Sequence, residues 1–201
     1  MKICICTTPI RPEPTEFPPF GSMAIIQALR SIGEEVRLYH IDYHRYDHAE
    51  ISKYFTTQKF DMVGISAVVS TAYAYTKYLT HLIKKVSPKT IVFVGGYLAS
   101  SAEILHRKAN ADYCVIGDGE ITIQYLVKAI KNNVDDHDSL IGDIPGIAFL
   151  NKHGHLKMTG YGERLSAETM PMPDYSILDN LGCLDWYIGD DWWIKNYRIN
   201  R

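Results

Sequence analysis

The chain has 201 residues, 46% hydrophobic and 22% charged, the balance of a globular protein able to bury a core. Its formal net charge of −2 argues against a nucleic-acid or membrane partner drawn in by electrostatics. No apolar run is long enough to span a bilayer, and residues 1–6 lack the length and cleavage pattern of a signal peptide, so a cytoplasmic location is expected.

Residues 2–8 read as a first strand, apolar on both faces. A proline-rich loop follows with Pro9, Pro12, Pro14, Pro18 and Pro19, and its position after the first strand suits a lid over a ligand. Ser22 is a candidate cap for a helix that carries Ile25, Leu29 and Ile32 on one face and ends at Gly33. Residues 36–41 form a second strand and 61–66 a third. A helix over 71–86 sets Tyr75, Leu79, Leu82 and Val86 on one face, with Lys84 and Lys85 at its negative end and Pro88 as its stop. Residues 90–94 are a fourth strand, Ser101, Ile104 and Leu105 mark a short helix, and 112–116 are a fifth strand. Glu120 then opens a helix with Ile123, Val127 and Ile130 inward. Strands that alternate with helices and are apolar throughout predict an α/β fold, a parallel sheet covered on both faces.

Beyond Asn132 the pattern changes. Residues 132–138 are a polar connection, and 147–150 with 156–159 read as a hairpin around Lys152-His153-Gly154. Residues 160–201 have no clear period. Met170-Pro171-Met172-Pro173-Asp174 is an extended turn, and Trp186, Trp192 and Trp193 suggest packing on this domain or on another. The cysteines are Cys4, Cys6, Cys114 and Cys183. None has zinc spacing, and they read as core thiols, so no protein-held metal is expected.

Three short segments carry the functional signal: Gly64-Ile65-Ser66, Val94-Gly95-Gly96 and Ile116-Gly117-Asp118-Gly119-Glu120. In an open parallel sheet these turns share the carboxyl edge, where such folds bind ligands. A dinucleotide fingerprint fits poorly, because the first strand leads into Thr7-Thr8-Pro9 and meets no glycine before Gly21. Gly117-x-Gly119 lacks a third glycine, a Walker loop is absent, and Ser66 stands where a phosphoreceiver needs aspartate. A flavin site using Thr7 and Thr8 stays open. So does the plainer reading, in which Gly95-Gly96 only allows a tight turn and Tyr73, Tyr75 and Tyr78 only pack a helix.

Asp61-Met62-Val63-Gly64-Ile65-Ser66, Val92-Phe93-Val94-Gly95-Gly96 and residues 111–120, in this order and spacing, resemble the cobalamin-binding domain of cobalamin-dependent radical S-adenosylmethionine enzymes. The resemblance covers residues 1–178, including Pro145-Gly146-Ile147-Ala148 and residues 170–174. It implies a flavodoxin-like (Rossmann-like) parallel five-stranded sheet of order 2-1-3-4-5 with a small C-terminal β extension. It also implies that Ser66 and Val68 meet the cofactor's nucleotide tail and that Gly95 and Gly96 let the tail pass, with Tyr97 beside them. Gly117, Gly119 and Glu120 match the turn after the last strand, Asp118 replacing a glutamate. Leu98 stands where the family often has histidine.

Related mutases carry an Asp-x-His-x-x-Gly loop after the first strand, whose histidine binds cobalt. That loop has no histidine here. Asp42-Tyr43-His44-Arg45-Tyr46-Asp47 imitates the motif but follows the second strand, so His44 is expected on the surface and cobalamin is expected base-off with no protein histidine on cobalt. The resemblance divides the chain into a cobalamin-binding domain, residues 1–132, and a hairpin extension and linker, residues 133–201, toward a radical domain of the same parent chain. The parent would add a 4Fe-4S cluster and S-adenosylmethionine, possessing chemistry such as methylation. Its Cys-x-x-x-Cys-x-x-Cys motif does not occur here, so this chain alone is not expected to be catalytic. Two other classes remain: a flavin or nucleotide binder on the same fold, and an interaction module with an empty cleft.

Overall fold

The computed structural model describes residues 1–132, 137–166 and 168–188. Five strands, β1 (Lys2–Thr7), β2 (Glu35–Tyr39), β3 (Met62–Ser66), β4 (Ile91–Gly95) and β5 (Tyr113–Val115), pair in parallel in the order 2-1-3-4-5. The hairpin β6 (Ile147–Leu150) and β7 (Leu156–Met158) continues the same sheet, antiparallel, beyond β5. The expected fold class is therefore the observed one, with the extension hydrogen-bonded to the sheet.

Side chains alternate across β1 and so feed two cores. Ile3 and Ile5 join Met23, Ile26 and Leu29 of α1 (Phe20–Ser31) and Ile123, Leu126 and Val127 of α6 (Glu120–Asn132) on one face. Cys4 and Cys6 join the other face with α3 (His48–Gln58), α4 (Tyr73–Val86) and α5 (Ala102–Ala109). All four cysteines are buried and unbridged. Burial on both faces explains why the strands are apolar without alternation.

Three local expectations change. Ser22 is not a cap: α1 begins at Phe20 after Pro19, and the buried Ser22 hydroxyl has no partner. The second strand stops at Tyr39, because Ile41 opens a one-turn helix, α2 (Ile41–His44). Gly64 is no turn residue but a buried one inside β3, and a Cβ there would overlap the Phe93 ring. A helix not expected from the apolar pattern, α3, starts at a capping box: Asp47 accepts from the Glu50 N–H at 2.8 Å while Glu50 accepts from the Asp47 N–H at 2.8 Å.

After β7 the chain crosses back over the carboxyl edge, where the Gly162 N–H donates to the Ile116 carbonyl at 2.8 Å. It then runs along α1, where Gln27 donates to the Met172 carbonyl and accepts from the Asp174 N–H. The helices α8 (Ser176–Asp179) and α9 (Leu184–Ile188) bury Ile177, Leu178, Leu184 and Ile188 in the α1 core. One more short helix, α7 (His137–Gly142), precedes β6. Trp192, Trp193 and most of the polar connection at 132–138 lie outside the described residues. Among the described residues no helix is long and apolar enough to cross a membrane.

Candidate functional site

The candidate residues fall into two groups along the carboxyl edge. The first is a crest over β3 and β4. Ser66 is in register with Gly95, the Ala67 N–H donates to the Gly95 carbonyl at 2.9 Å, and the Leu98 N–H donates to the Ala67 carbonyl at 3.1 Å. The two strand ends are thus stitched together. Gly96 makes this possible: its φ of +88° suits glycine, and a Cβ there would sit 2.6 Å from the Ala67 oxygen. Gly95 differs, because nothing lies within 4 Å of where its Cβ would be. Open space above backbone is what a ligand lying on the strand end requires. Val68 and Tyr97, each two residues beyond the paired Ser66 and Gly95, are exposed, Tyr97 at 84%. Leu98, in the position of the family's frequent histidine, is buried.

The second group is the turn after β5. Gly117 has φ +86°, and a Cβ on it would meet the Gly162 nitrogen at 3.1 Å. A Cβ on Gly119 would meet Ile25 of α1 at 2.9 Å. Here the glycines admit protein: the returning chain at Gly162 and the neighbouring helix. Gly146, with φ +78°, faces the same crossing, and Glu120 begins α6 beside it. The structure therefore brings Ser66, Val68, Gly95, Gly96 and Tyr97 to the same pair of strand ends, with open space at Gly95. It sets Gly117, Gly119 and Glu120 at the next strand end, under the returning chain.

The corner over β1 and β2 joins Thr7 and Thr8 to His40 and Tyr187, two groups that the sequence did not single out. Thr8 donates to the Ser66 carbonyl at 2.8 Å, which ties the loop after β1 to β3. Thr7 Oγ1 accepts from the Asp42 N–H at 3.0 Å and lies 2.9 Å from Nδ1 of His40. Nε2 of the buried His40 lies 2.7 Å from the Tyr187 hydroxyl on α9. Burial pushes the His40 imidazole down to about 4, against a smaller opposing pull from Asp42. No motif spacing signals this cluster, since its members lie on three distant segments.

His44, expected on the surface, is half-buried. Its Nε2 is buried without a hydrogen-bond partner, and its ring stacks on Tyr46 with centroids 5.1 Å apart. Burial lowers its pKa. The cause is α2, which turns the chain inward directly after β2. Beyond it Tyr46, Tyr39 and Tyr54 form a parallel stack at 4.6 and 3.9 Å that lines a groove of about 650 Å³ along the outer β2 edge, far from the crest.

A five-stranded parallel sheet with an open, glycine-bearing crest at its carboxyl edge defines a ligand-binding α/β module. Residues 13–127 match the B12 binding domain family, and the chain belongs to that family. No curated protein matches the chain. The solved structures that resemble it include the radical S-adenosylmethionine methyltransferase TsrM from Kitasatospora setae with cobalamin and a [4Fe-4S] cluster bound, at 18% identity and a TM-score of 0.66. They also include the cobalamin-dependent S-adenosylmethionine radical enzyme OxsB with aqua-cobalamin bound, at 19% identity and a TM-score of 0.73. The matches cover 86% and 94% of this chain but only 31% and 25% of those chains, so this chain spans about a quarter to a third of each. At such identities the likeness is one of fold.

Proposed function

We propose that this chain is a cobalamin-binding module that holds the cofactor at the carboxyl edge of its sheet. The observation that carries the reading is the crest, where Gly95 leaves open space and Val68 and Tyr97 on the same two strand ends are exposed, in a member of the B12 binding domain family. The residues fit the group: Ser66 offers a hydroxyl, Gly95 and Gly96 offer bare backbone, and Val68 and Tyr97 offer apolar surface. Gly117, Gly119 and Glu120 would flank the cofactor at the β5 end. Bound cobalamin supplies a cobalt centre able to carry an alkyl group.

The loop after β1 has no histidine, so no imidazole from it would reach cobalt. We assign His44 no ligating role, because its ring is held in the stack beside Tyr46. The cofactor would then be base-off with a free lower face. Residues 1–132 are the binding domain, and 133–201 lead toward a radical domain in a longer parent using a 4Fe-4S cluster and S-adenosylmethionine. That arrangement is suggested by the lengths of TsrM and OxsB.

The test is to incubate the chain with cobalamin or with flavin mononucleotide, desalt it and record the absorption spectrum. Retained cobalamin with a base-off spectrum, unchanged in His44→Ala, is the expected result. Retention of flavin instead would move the assignment to the other ligand class. After anaerobic reconstitution, stoichiometric iron and cleavage of S-adenosylmethionine by this chain alone would overturn the module reading.

A further inference from the structure

The loop after β1 is rich in proline, and this creates a hydrogen-bond problem. Proline has no N–H, and a residue before proline is driven toward extended backbone, which forms no internal bonds. Arg11 and Glu13 each precede a proline, so their carbonyls need donors from elsewhere. Arg45 supplies them: its Nη1 donates to the Arg11 carbonyl at 2.8 Å, and its Nη2 donates to the Glu13 carbonyl. The same Nη2 donates to Oδ1 of Asp42 at 3.1 Å, and Oδ2 of Asp42 accepts from the Thr15 N–H at 3.0 Å. Trp186 completes the arrangement by donating its Nε1–H to the Thr15 carbonyl at 3.2 Å.

The ion pair is half hidden, with the Asp42 side chain 6% and the Arg45 side chain 27% exposed. Arg45 also ends α2 in the left-handed region, at φ +54°. A non-glycine residue there costs about 1 kcal/mol or more. The conformation aims the guanidinium back at the loop. Every loop contact is to backbone, so the clamp reads the path of the loop rather than its side chains.

Resting on the cobalamin reading, we propose that Asp42 and Arg45 are positioning residues that draw loop 11–15 toward the β2 corner and keep the crest over β3 and β4 open for the cofactor. The topology supports the direction. Thr8 pins the root of the loop to β3, whereas Arg11, Glu13 and Thr15 are fastened to α2, which follows edge strand β2. In a sheet of order 2-1-3-4-5 that corner is two strand spacings from β3, roughly 10 Å. The segment Asp42-x-x-Arg45 thus has a role that its histidine does not explain.

The test reads the loop and the site separately. Glutamyl endopeptidase cuts after Glu16, whereas Glu13 is protected by Pro14. In Arg45→Ala, cleavage at Glu16 should rise about tenfold, because proteolysis follows the open population. Cobalamin affinity should fall by about tenfold. Arg45→Lys keeps the charge facing Asp42 but cannot fork between two carbonyls, so it should fall between the two in both readouts. It also serves if Arg45→Ala does not fold. Unchanged Glu16 cleavage in a folded Arg45→Ala chain overturns the clamp. Faster cleavage with unchanged cobalamin affinity overturns its link to the site. Failure of the unmutated chain to bind cobalamin overturns the functional reading itself, while the cleavage rates still decide whether the clamp exists.

Discussion

The crest over β3 and β4 and the turn after β5 look alike as sequence, each a pair of glycines behind an apolar strand. They differ in what occupies the place of the missing side chains. In the crest the place at Gly95 is open and that at Gly96 is filled by the Ala67 carbonyl, whereas at Gly117 and Gly119 both places are filled, by Gly162 and Ile25. A glycine in a turn can therefore make room for a ligand or for the protein's own chain. Only the identity of the neighbouring atoms separates the two uses.

The largest effect should come from the crowded region. A Cβ at Gly146 would overlap the nitrogen and Cα of Gly162, and the residue has φ +78°. Gly146→Ala should destabilise the chain by about 3 kcal/mol, the combined cost of overpacking and a left-handed backbone. Denaturant unfolding measures it, and a loss below about 1 kcal/mol would mean that the crossing chain yields easily.

A second effect tests how the C-terminal helix is fastened at the β1 and β2 corner. His40 has its pKa lowered to about 4 by burial, so the folded chain refuses a proton that the unfolded chain takes up below about 6.5. Its stability contribution is complete above pH 6.5 and is lost as pH falls toward 4, about 3 kcal/mol in all. His44 and His106 are shifted in the same direction, by burial in both cases. Unfolding free energies from pH 7.5 to pH 4 should fall less steeply in His40→Gln than in the unmutated chain. Identical slopes would remove His40 from the account.

The smallest effect on stability and the most selective effect on binding belong to the open region. Gly95→Val adds a branched side chain at a strand end with free space around it, so stability should change by no more than about 0.5 kcal/mol. Cobalamin affinity, measured by titration, should fall more than about tenfold, or about 1.4 kcal/mol. If Gly95→Val folds and binds like the unmutated chain, the ligand does not lie on the crest and the contrast between the two regions loses its functional meaning.

The five parallel strands and the hairpin were legible because apolar runs of strand length and their turn residues are local signals, whereas the strand order followed from the family resemblance. The helix α3 was not, since it buries only Ile51 and Phe55 among polar neighbours and its apolar face is too narrow to announce a period. Ser22 has a cap's chemistry, but the helix begins at Phe20 with Pro19 in the cap position, leaving Ser22 inside. The partial burial of His44 depends on α2, a single turn that no periodicity reveals. The sequence by itself determined the alternation of apolar strands with helices and the glycine-bearing turns that a parallel sheet gathers on its carboxyl edge, whereas the candidate residues on that edge came from the family resemblance. The tertiary structure alone decided which glycine faces open space, how the loop after β1 is tied to Asp42 and Arg45, and where His40 finds Thr7 and Tyr187. The reason is physical: periodicity and turn chemistry act between near neighbours, whereas these contacts join segments up to 147 residues apart and exist only once the chain has packed.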